Sequence, residues 1–346
     1  MANGIQTSNG KAFEYACVIA LNGSLSEYGK TEIVSSPQLE TAKGLYENIE
    51  PKMKGSLDKA ARAAVRVVKR LEPQLWNPED NEPLYLSIQP DSAGIKGDVR
   101  DVLCVRKQNG WEIGFSCKHN HHAVKHSRLS DTIDFGKEWL GIPCSKEYFN
   151  TVVPLFEKLR SFRDSSKCAG KPMLWEKIPD KAEKYYKPIL EAFMKELKRI
   201  ADENKDIPAA LIHYLLGRND FYKVITEDSN RTTRIEAINI SGTLNTNAGK
   251  EKSIAKVPIL KMPTQFYHIG FKANSDNTVE VVCDEGWQIS MRIHNASSKV
   301  EPSLKFDVQL ISFPSSVFAQ VEPWESEEDR RILRLNSYAT GLNHLK

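Results

Sequence analysis

Two short stretches of the chain carry residues that could hydrolyse a phosphate ester. Asp101 begins one alternating apolar run, and Ser116-Cys117-Lys118 ends a second. Asn109-Gly110, between the runs, predicts a two-residue hairpin turn that places Asp101 directly opposite Lys118, with Cβ atoms about 5 Å apart. An aspartate that binds Mg²⁺, beside a lysine that orients water and neutralises developing charge, suits metal-assisted phosphodiester hydrolysis. The alternative is a salt bridge that only secures strand register.

The residues after Lys118 are typical of a nucleic-acid surface. Residues 119–128 hold four histidines and two further cations, and no acidic residue follows until Asp131. Lysine and arginine contact phosphates, whereas asparagine and histidine can also bond base edges. The predicted DNA-binding residues are Asn120, His121, His122, Lys125, His126 and Arg128. A zinc site built from His119, His121, His122 and His126 and a solvated basic loop are the alternatives.

Composition limits the classes of protein that the chain can represent. Its 346 residues are enough for two domains, and its net charge of +3 means that affinity for a polyanion must come from a local patch. No leader pattern and no run of about 20 apolar residues is present, which indicates neither secretion nor membrane insertion and favours a cytoplasmic location. The six cysteines are scattered, without a Cys-x-x-Cys pair, and are expected to be reduced.

The elements that must position the candidate residues are helices followed by strands. Helical spacing predicts a helix from Ser56, its N-cap, that ends before Pro73. A strand at 84–88 then leads into the hairpin. Side chains alternate between the two faces of the hairpin, which places Asp101, Ser116 and Lys118 on one face. Further helices are predicted at 133–139, 145–163, 180–203 with an interruption at Pro188, and 208–217.

Beyond Phe221 the pattern changes to β-branched and aromatic alternation. Strands are predicted at 235–240, 265–272, 279–283, 287–293 and 304–313. The sequence therefore predicts an α/β region at 1–206 that contains the hairpin 99–118, a mostly antiparallel β-rich region at 207–324, and a terminal tail at 325–346.

These residues also resemble a known family. Asp101 followed by Ser116-Cys117-Lys118 is similar to the PD-(D/E)xK nuclease signature, and residues 98–103, 116–130 and 217–224 resemble the HaeIII family of type II restriction endonucleases. The resemblance implies a PD-(D/E)xK core, with a mixed central sheet flanked by helices, and a β-rich C-terminal region for DNA recognition. It also implies an enzyme that uses Mg²⁺ to cut double-stranded DNA within GGCC.

The chain departs from the general signature at one position. Ser116 stands where the signature has an acidic residue, and a hydroxyl is a weaker Mg²⁺ ligand than a carboxylate. Glu112 lies on the same face but roughly 13 Å away along the strand. The expected metal ligands are therefore Asp101, the main-chain carbonyl of Cys117, and either Asp98 or Glu47. A DNA-binding protein that does not cleave remains the alternative.

The partners implied are double-stranded DNA and no membrane. A homodimer and a monomer that cuts twice both fit a symmetric DNA site, and no stable protein partner is implied.

Overall fold

The computed structural model describes residues 2–76, 82–95, 97–120, 123–125, 127–168, 170–247 and 252–325. The described residues form two compact units, each assembled from separate stretches of the chain. The first unit contains residues from 1–121, 219–260 and 316–346, and the second contains residues from 122–218 and 261–315.

The first unit begins with helices whose termini follow from local chemistry. Its helices are α1 (Ala2–Leu25), α2 (Pro37–Glu47), α3 (Pro51–Leu71) and the short α4 (Ser92–Ile95). Ser36 caps α2, because its Oγ accepts a hydrogen bond from the Leu39 N–H at 3.1 Å. The predicted start of α3 at Ser56 is wrong. The helix begins five residues earlier at Pro51, whose fixed φ suits a first helical position, and it ends at Leu71 as predicted.

A seven-stranded mixed sheet forms the centre of this unit. Its strands are β1 (Thr31–Ile33), β2 (Leu84–Ile88), β3 (Val102–Arg106), β4 (Trp111–His119), β7 (Phe221–Glu227), β8 (Thr232–Ile238) and β13 (Ala319–Pro323). The order is β1-β2-β3-β4-β7-β8-β13, with parallel pairs β1·β2 and β4·β7 and antiparallel pairs elsewhere. The predicted mixed central sheet with flanking helices is therefore confirmed.

One face of this sheet is packed against helices. Val102, Phe115 and Cys117 lie in the same hydrophobic core as Phe13 of α1 and Val67 of α3. The opposite face at the centre of the sheet carries polar side chains, because neighbours along a strand point to opposite sides. The helices therefore fix the strands that carry the candidate residues.

The hairpin turn differs from the prediction. Val102 pairs with Phe115 and Arg106 with Trp111, so four residues, 107–110, form the loop. Of these four, only Gly110 has a positive φ, at 65°, which suits a longer loop in place of a two-residue type I′ turn. The register is thus shifted by two residues, which leaves every side chain on its predicted face. Asp101 and Lys118 stay close for this reason although they are not directly opposite.

The second unit combines helices with an antiparallel sheet. Its helices are α5 (Lys146–Cys168), α6 (Lys187–Glu203) and α7 (Ile207–Leu216). Its strands are β5 (Ala123–Lys125), β6 (Arg128–Ser130), β9 (Phe266–Phe271), β10 (Thr278–Cys283), β11 (Gln288–Asn295) and β12 (Ser303–Ser312). They are ordered β5-β12-β11-β10-β9, and β6 pairs with β12 beside β5.

Two predicted helices of this unit have a different form. Residues 136–140 make a single π-helical turn where a helix was expected at 133–139. A second π-helical turn at 182–186 precedes α6, and Pro188 occupies the first turn of that helix. The π-helical turn continues directly into α6, because the Lys187 N–H bonds the Ala182 carbonyl, and Pro188 follows this widened turn.

The compact units divide the chain differently from the predicted boundary near residue 206. β7 and β8 join the first sheet, and β5 and β6 join the second. Sequence alternation identifies strands but not their neighbours, since pairing is decided by contacts between distant segments. The predicted tail lies outside the described residues beyond Glu325. Within the described chain, no helix has the length and apolar character needed to cross a membrane.

Candidate active site

Asp101 lies at the entrance to β3 and is held by three groups of β4. One oxygen, Oδ2, accepts hydrogen bonds from the Cys117 N–H at 2.7 Å, the Lys118 ammonium at 3.1 Å and the Ser116 hydroxyl at 3.4 Å. The three donors are consecutive residues of one strand, so the strand itself fixes the carboxylate. The predicted pair of Asp101 and Lys118 is therefore formed in the structure.

Lys118 remains a cation at this position. Burial works against its charge, but the attraction and hydrogen bond of Asp101, with further attraction from Cys117 and Glu14, raise its pKa above the usual 10.5. A lysine with a raised pKa cannot remove a proton from water at neutral pH. It can donate hydrogen bonds and stabilise negative charge.

A second carboxylate is supplied by α1. Glu14 is 5% exposed, and burial followed by repulsion from Asp101 raises its pKa to about 8. Lys11 bonds Glu14 at 3.2 Å and Asp91 at 2.7 Å, which ties α1 to the loop before the hairpin. The site thus contains an acidic residue that was not among the predicted site residues.

A sequence signal for Glu14 exists. Cys17, Val18, Leu21 and Leu25 form an apolar stripe at helical spacing, and Glu14 begins that stripe. All four apolar residues are buried in the structure. A carboxylate on the buried face of a helix is unusual and is a candidate functional group.

The two carboxylates predicted as alternative metal ligands have different surroundings. Asp98 binds Arg100 through two hydrogen bonds of 2.8 and 2.7 Å, which together with a lowered pKa mark it as an ion-pair residue. Burial has the largest single effect on Asp98 and raises its pKa. The hydrogen bonds from Arg100 outweigh burial, so the pKa of Asp98 is lowered overall. Glu47 is exposed at the end of α2. Glu112 pairs with Arg100 at 2.8 Å. Of the carboxylates considered, Glu14 is the one whose pKa is raised in part by repulsion from Asp101.

A buried lysine lies beside this site. Lys223 of β7 pairs with Ser116 of β4 and, on its other side, with Glu236 of β8. It is 4% exposed, and burial lowers its pKa to about 8, with attraction from Glu236 opposing and repulsion from Lys118 adding to the shift. Because paired residues share a face, Ser116, Lys223 and Glu236 form one polar row across three strands.

The end of β4 carries a hydrogen-bonded cluster. Asp228 Oδ2 bonds His119 Nε2 at 2.9 Å and accepts from the Asn120 side-chain amide at 2.9 Å. The Asp228 N–H donates to Asn120 Oδ1 at 3.0 Å. Both ends of the Asn120 amide thus make hydrogen bonds that join the ends of β4 and β7. Asn120 is also exposed, and its contact with DNA stays a prediction.

The remaining predicted DNA-binding residues fall into two groups. The Lys125 ammonium donates a hydrogen bond to the Tyr214 carbonyl at 2.8 Å, and its Nζ lies 3.6 Å from the centre of the Tyr214 ring. Burial lowers the pKa of Lys125 to about 8. Arg128 is exposed on β6. His121, His122 and His126 lie outside the described residues, so most of the zinc alternative lies there too. Among the described residues, no group of three histidine, cysteine or acidic side chains is placed to hold a metal ion.

Comparison with known proteins identifies the class of this chain. The family model described as the HaeIII restriction endonuclease matches residues 10–314, and the chain belongs to this family. It is a type II restriction endonuclease, as the resemblance predicted. The chain is 39% identical over 318 residues to the type II restriction enzyme HaeIII of Haemophilus aegyptius, across 92% of this chain and 98% of that protein. No solved structure matches the chain significantly.

Proposed function

We propose that this enzyme hydrolyses phosphodiester bonds of double-stranded DNA within GGCC, with Mg²⁺ as cofactor. Membership of the HaeIII family supports the substrate and the target. The observation that carries the site assignment is the 3.1 Å bond between Asp101 and a protonated Lys118. We further assign β2, β3, β4 and β7, with α1 and α3 on one face, as a PD-(D/E)xK core, and the second unit as the main DNA-recognition region.

The residues around Asp101 fit a hard divalent cation. Mg²⁺ binds through one or two protein carboxylates and retains several waters, so a set of three protein side chains is not required. Burial, and then repulsion from Asp101, raise the pKa of Glu14, and a bound cation would relieve this repulsion. Asp101, Glu14 and the main-chain carbonyl of Cys117 are the proposed ligands. When bound, Mg²⁺ polarises the phosphate and lowers the pKa of the attacking water.

Side chains and backbone groups of the chain position the water and the metal ligands in this proposal. Lys118 orients the attacking water by donating hydrogen bonds and offsets the negative charge that builds on the phosphate. The Cys117 N–H fixes the rotamer of Asp101. Ser116 adds a longer bond to the same oxygen and is a positioning residue in this proposal. Lys11 keeps Glu14 in place through its bridge to Asp91.

Cleavage of plasmid DNA with Mg²⁺ or with EDTA tests the proposal. Asp101→Asn and Lys118→Met should each lower the rate at least about 100-fold, because each removes a group that stabilises the transition state. Asp276→Asn and Lys177→Met are matched controls, since both residues are exposed. Mg²⁺-dependent fragments ending at GGCC are expected. Binding without cleavage by the unmodified enzyme would instead support the non-cleaving alternative, and full activity of both site variants would reject the site.

The second metal ligand is tested by a matched pair of variants. Glu14→Gln should raise the Mg²⁺ concentration needed for half-maximal cleavage about tenfold or more, because one of two carboxylate ligands is lost. Glu47→Gln, an exposed position on α2, should leave it unchanged. The reverse result would return the assignment to Glu47.

The proposed target is palindromic, which raises the question of whether one or two chains act on each duplex. A two-fold homodimer offers one site to each strand, whereas a monomer must cut the two strands in turn. Light scattering of the Asp101→Asn variant on a short duplex distinguishes two chains per duplex from one.

A further inference from the structure

The second sheet presents two chemically different faces. Phe306 of β12 is fully buried and contacts Trp139 and Phe193 in the aromatic core of the second unit. Lys305 points to the opposite side, because neighbouring residues on a strand alternate. The face that carries Lys305 is called the outer face of the second sheet.

Three basic residues stand in one line across this outer face. Arg128 of β6 pairs with Lys305 of β12, and Lys305 pairs with His294 of β11. Directly paired side chains in an antiparallel sheet lie about 5 Å apart. Three separate parts of the sequence therefore place an arginine, a lysine and a histidine side by side.

Like charges in paired positions destabilise a sheet, so their presence requires a reason. Burial and then repulsion from Arg128 lower the pKa of Lys305. Burial also lowers the pKa of His294, with repulsion from Lys305 and Arg292 adding to it. Asp307 opposes both shifts, but it already forms an ion pair with Arg292 at 3.2 Å. A positive field consequently remains at this line of residues.

The side chains remain able to reach a ligand. Arg128 is exposed, and its hydrogen bond to Ser303 is long, at 3.4 Å. Lys305 and His294 are half-buried. Arg128, Lys305 and His294 thus differ from Lys125, whose ammonium donates a hydrogen bond to the Tyr214 carbonyl.

We propose that Arg128 and Lys305, flanked by His294, bind backbone phosphates of the DNA substrate on the outer face of the second sheet. The proposal rests on the proposed function for the identity of the polyanion. Phosphate contacts position a protein on DNA without reading its sequence, so this surface would supply affinity and register. The cost of paired like charges in the free protein is then offset by phosphate in the complex.

The salt dependence of DNA binding tests this surface. Gel-shift assays in EDTA would use two duplexes of about 30 base pairs, with and without GGCC. The double variant Arg128→Gln/Lys305→Gln should bind both duplexes more weakly by similar factors. It should lower the slope of log affinity against log salt by about two, because each lost phosphate contact removes about 0.9. Lys158→Gln, an exposed position on α5, is the matched control.

Two further measurements exclude a merely structural effect. The double variant should melt no lower than the unmodified enzyme, since a like-charge pair has been removed. In the unmodified enzyme, DNA should protect Lys305 from acetylation and leave Lys158 reactive. An unchanged salt slope, or no protection of Lys305, would overturn the proposal. If the enzyme binds DNA but Asp101→Asn and Lys118→Met still cleave it, the catalytic assignment fails while this surface stands.

Discussion

Lys223 is paired with Ser116 across the parallel strands β7 and β4. The buried ammonium therefore lies one strand away, about 4.8 Å in backbone spacing, from the strand that supplies Lys118. Lys118 and Lys223 repel each other, which contributes to the lowered pKa of Lys223. The ammonium of Lys223 thus adds positive charge beside Lys118.

Lys223→Met should lower cleavage about tenfold or more, because the positive field beside Lys118 is reduced. The melting temperature should fall as well, because the buried carboxylate of Glu236 loses the attraction of Lys223. Steady-state cleavage rates and thermal melting measure the two effects. Normal cleavage with a reduced melting temperature would assign Lys223 a structural role alone.

Ser116 offers a test of whether the site lacks a carboxylate. Ser116→Ala should keep activity within about tenfold, because Asp101 is still held by the Cys117 N–H and Lys118. Ser116→Asp should reduce activity further and destabilise the fold, since it buries another carboxylate beside Asp101. Cleavage assays measure the activity of both variants, and melting curves measure their stability. Higher activity of Ser116→Asp would show that Glu14 does not supply the missing ligand.

Glu72 predicts a pH dependence of stability away from the site. It is fully buried and accepts hydrogen bonds from the Tyr222 hydroxyl at 2.7 Å and the Asn245 N–H at 2.5 Å. Burial raises its pKa from 4.5 to about 7 despite these bonds. The folded state therefore holds a proton that the unfolded chain loses near pH 4.5, and this stabilisation is full below pH 4.5 and lost as pH rises through 7.

The contribution of Glu72 should be roughly 3 kcal/mol across that interval. Glu72→Gln should flatten the dependence of the free energy of unfolding on pH between about 4.5 and 7. Denaturant unfolding at several pH values measures this. An identical pH profile for the variant would contradict the assignment.

Gly114 is required by the side chain of Arg100. A Cβ at Gly114 would overlap the methylene groups of Arg100, whose guanidinium bridges Asp98 and Glu112. Gly114→Ala should therefore destabilise the protein by about 1–3 kcal/mol. Gly55→Ala is the matched control, because Gly55 lies inside α3 with open space around it and should gain up to about 1 kcal/mol. Unfolding free energies of the two variants should change in opposite directions.

Local patterns in the sequence were sufficient to predict much of the fold and of the candidate site. The alternation of 101–105 and 112–118 determined which side chains share a face, and that result held although the turn was longer than predicted. A two-residue shift preserves faces, so Asp101 and Lys118 could be paired without the correct register. The resemblance in the same residues also led to the HaeIII family, which the comparisons confirm.

Only the tertiary structure decided which distant residues meet. Glu14 lies 87 positions before Asp101 in the numbering, and its role depends on the packing of α1 against β4. Lys223 reaches Ser116 because β7 pairs with β4, and Lys305 reaches Arg128 because β12 pairs with β6. Periodicity reports which face a residue occupies on its own element. The partners of that face are set by long-range packing, which no local pattern records.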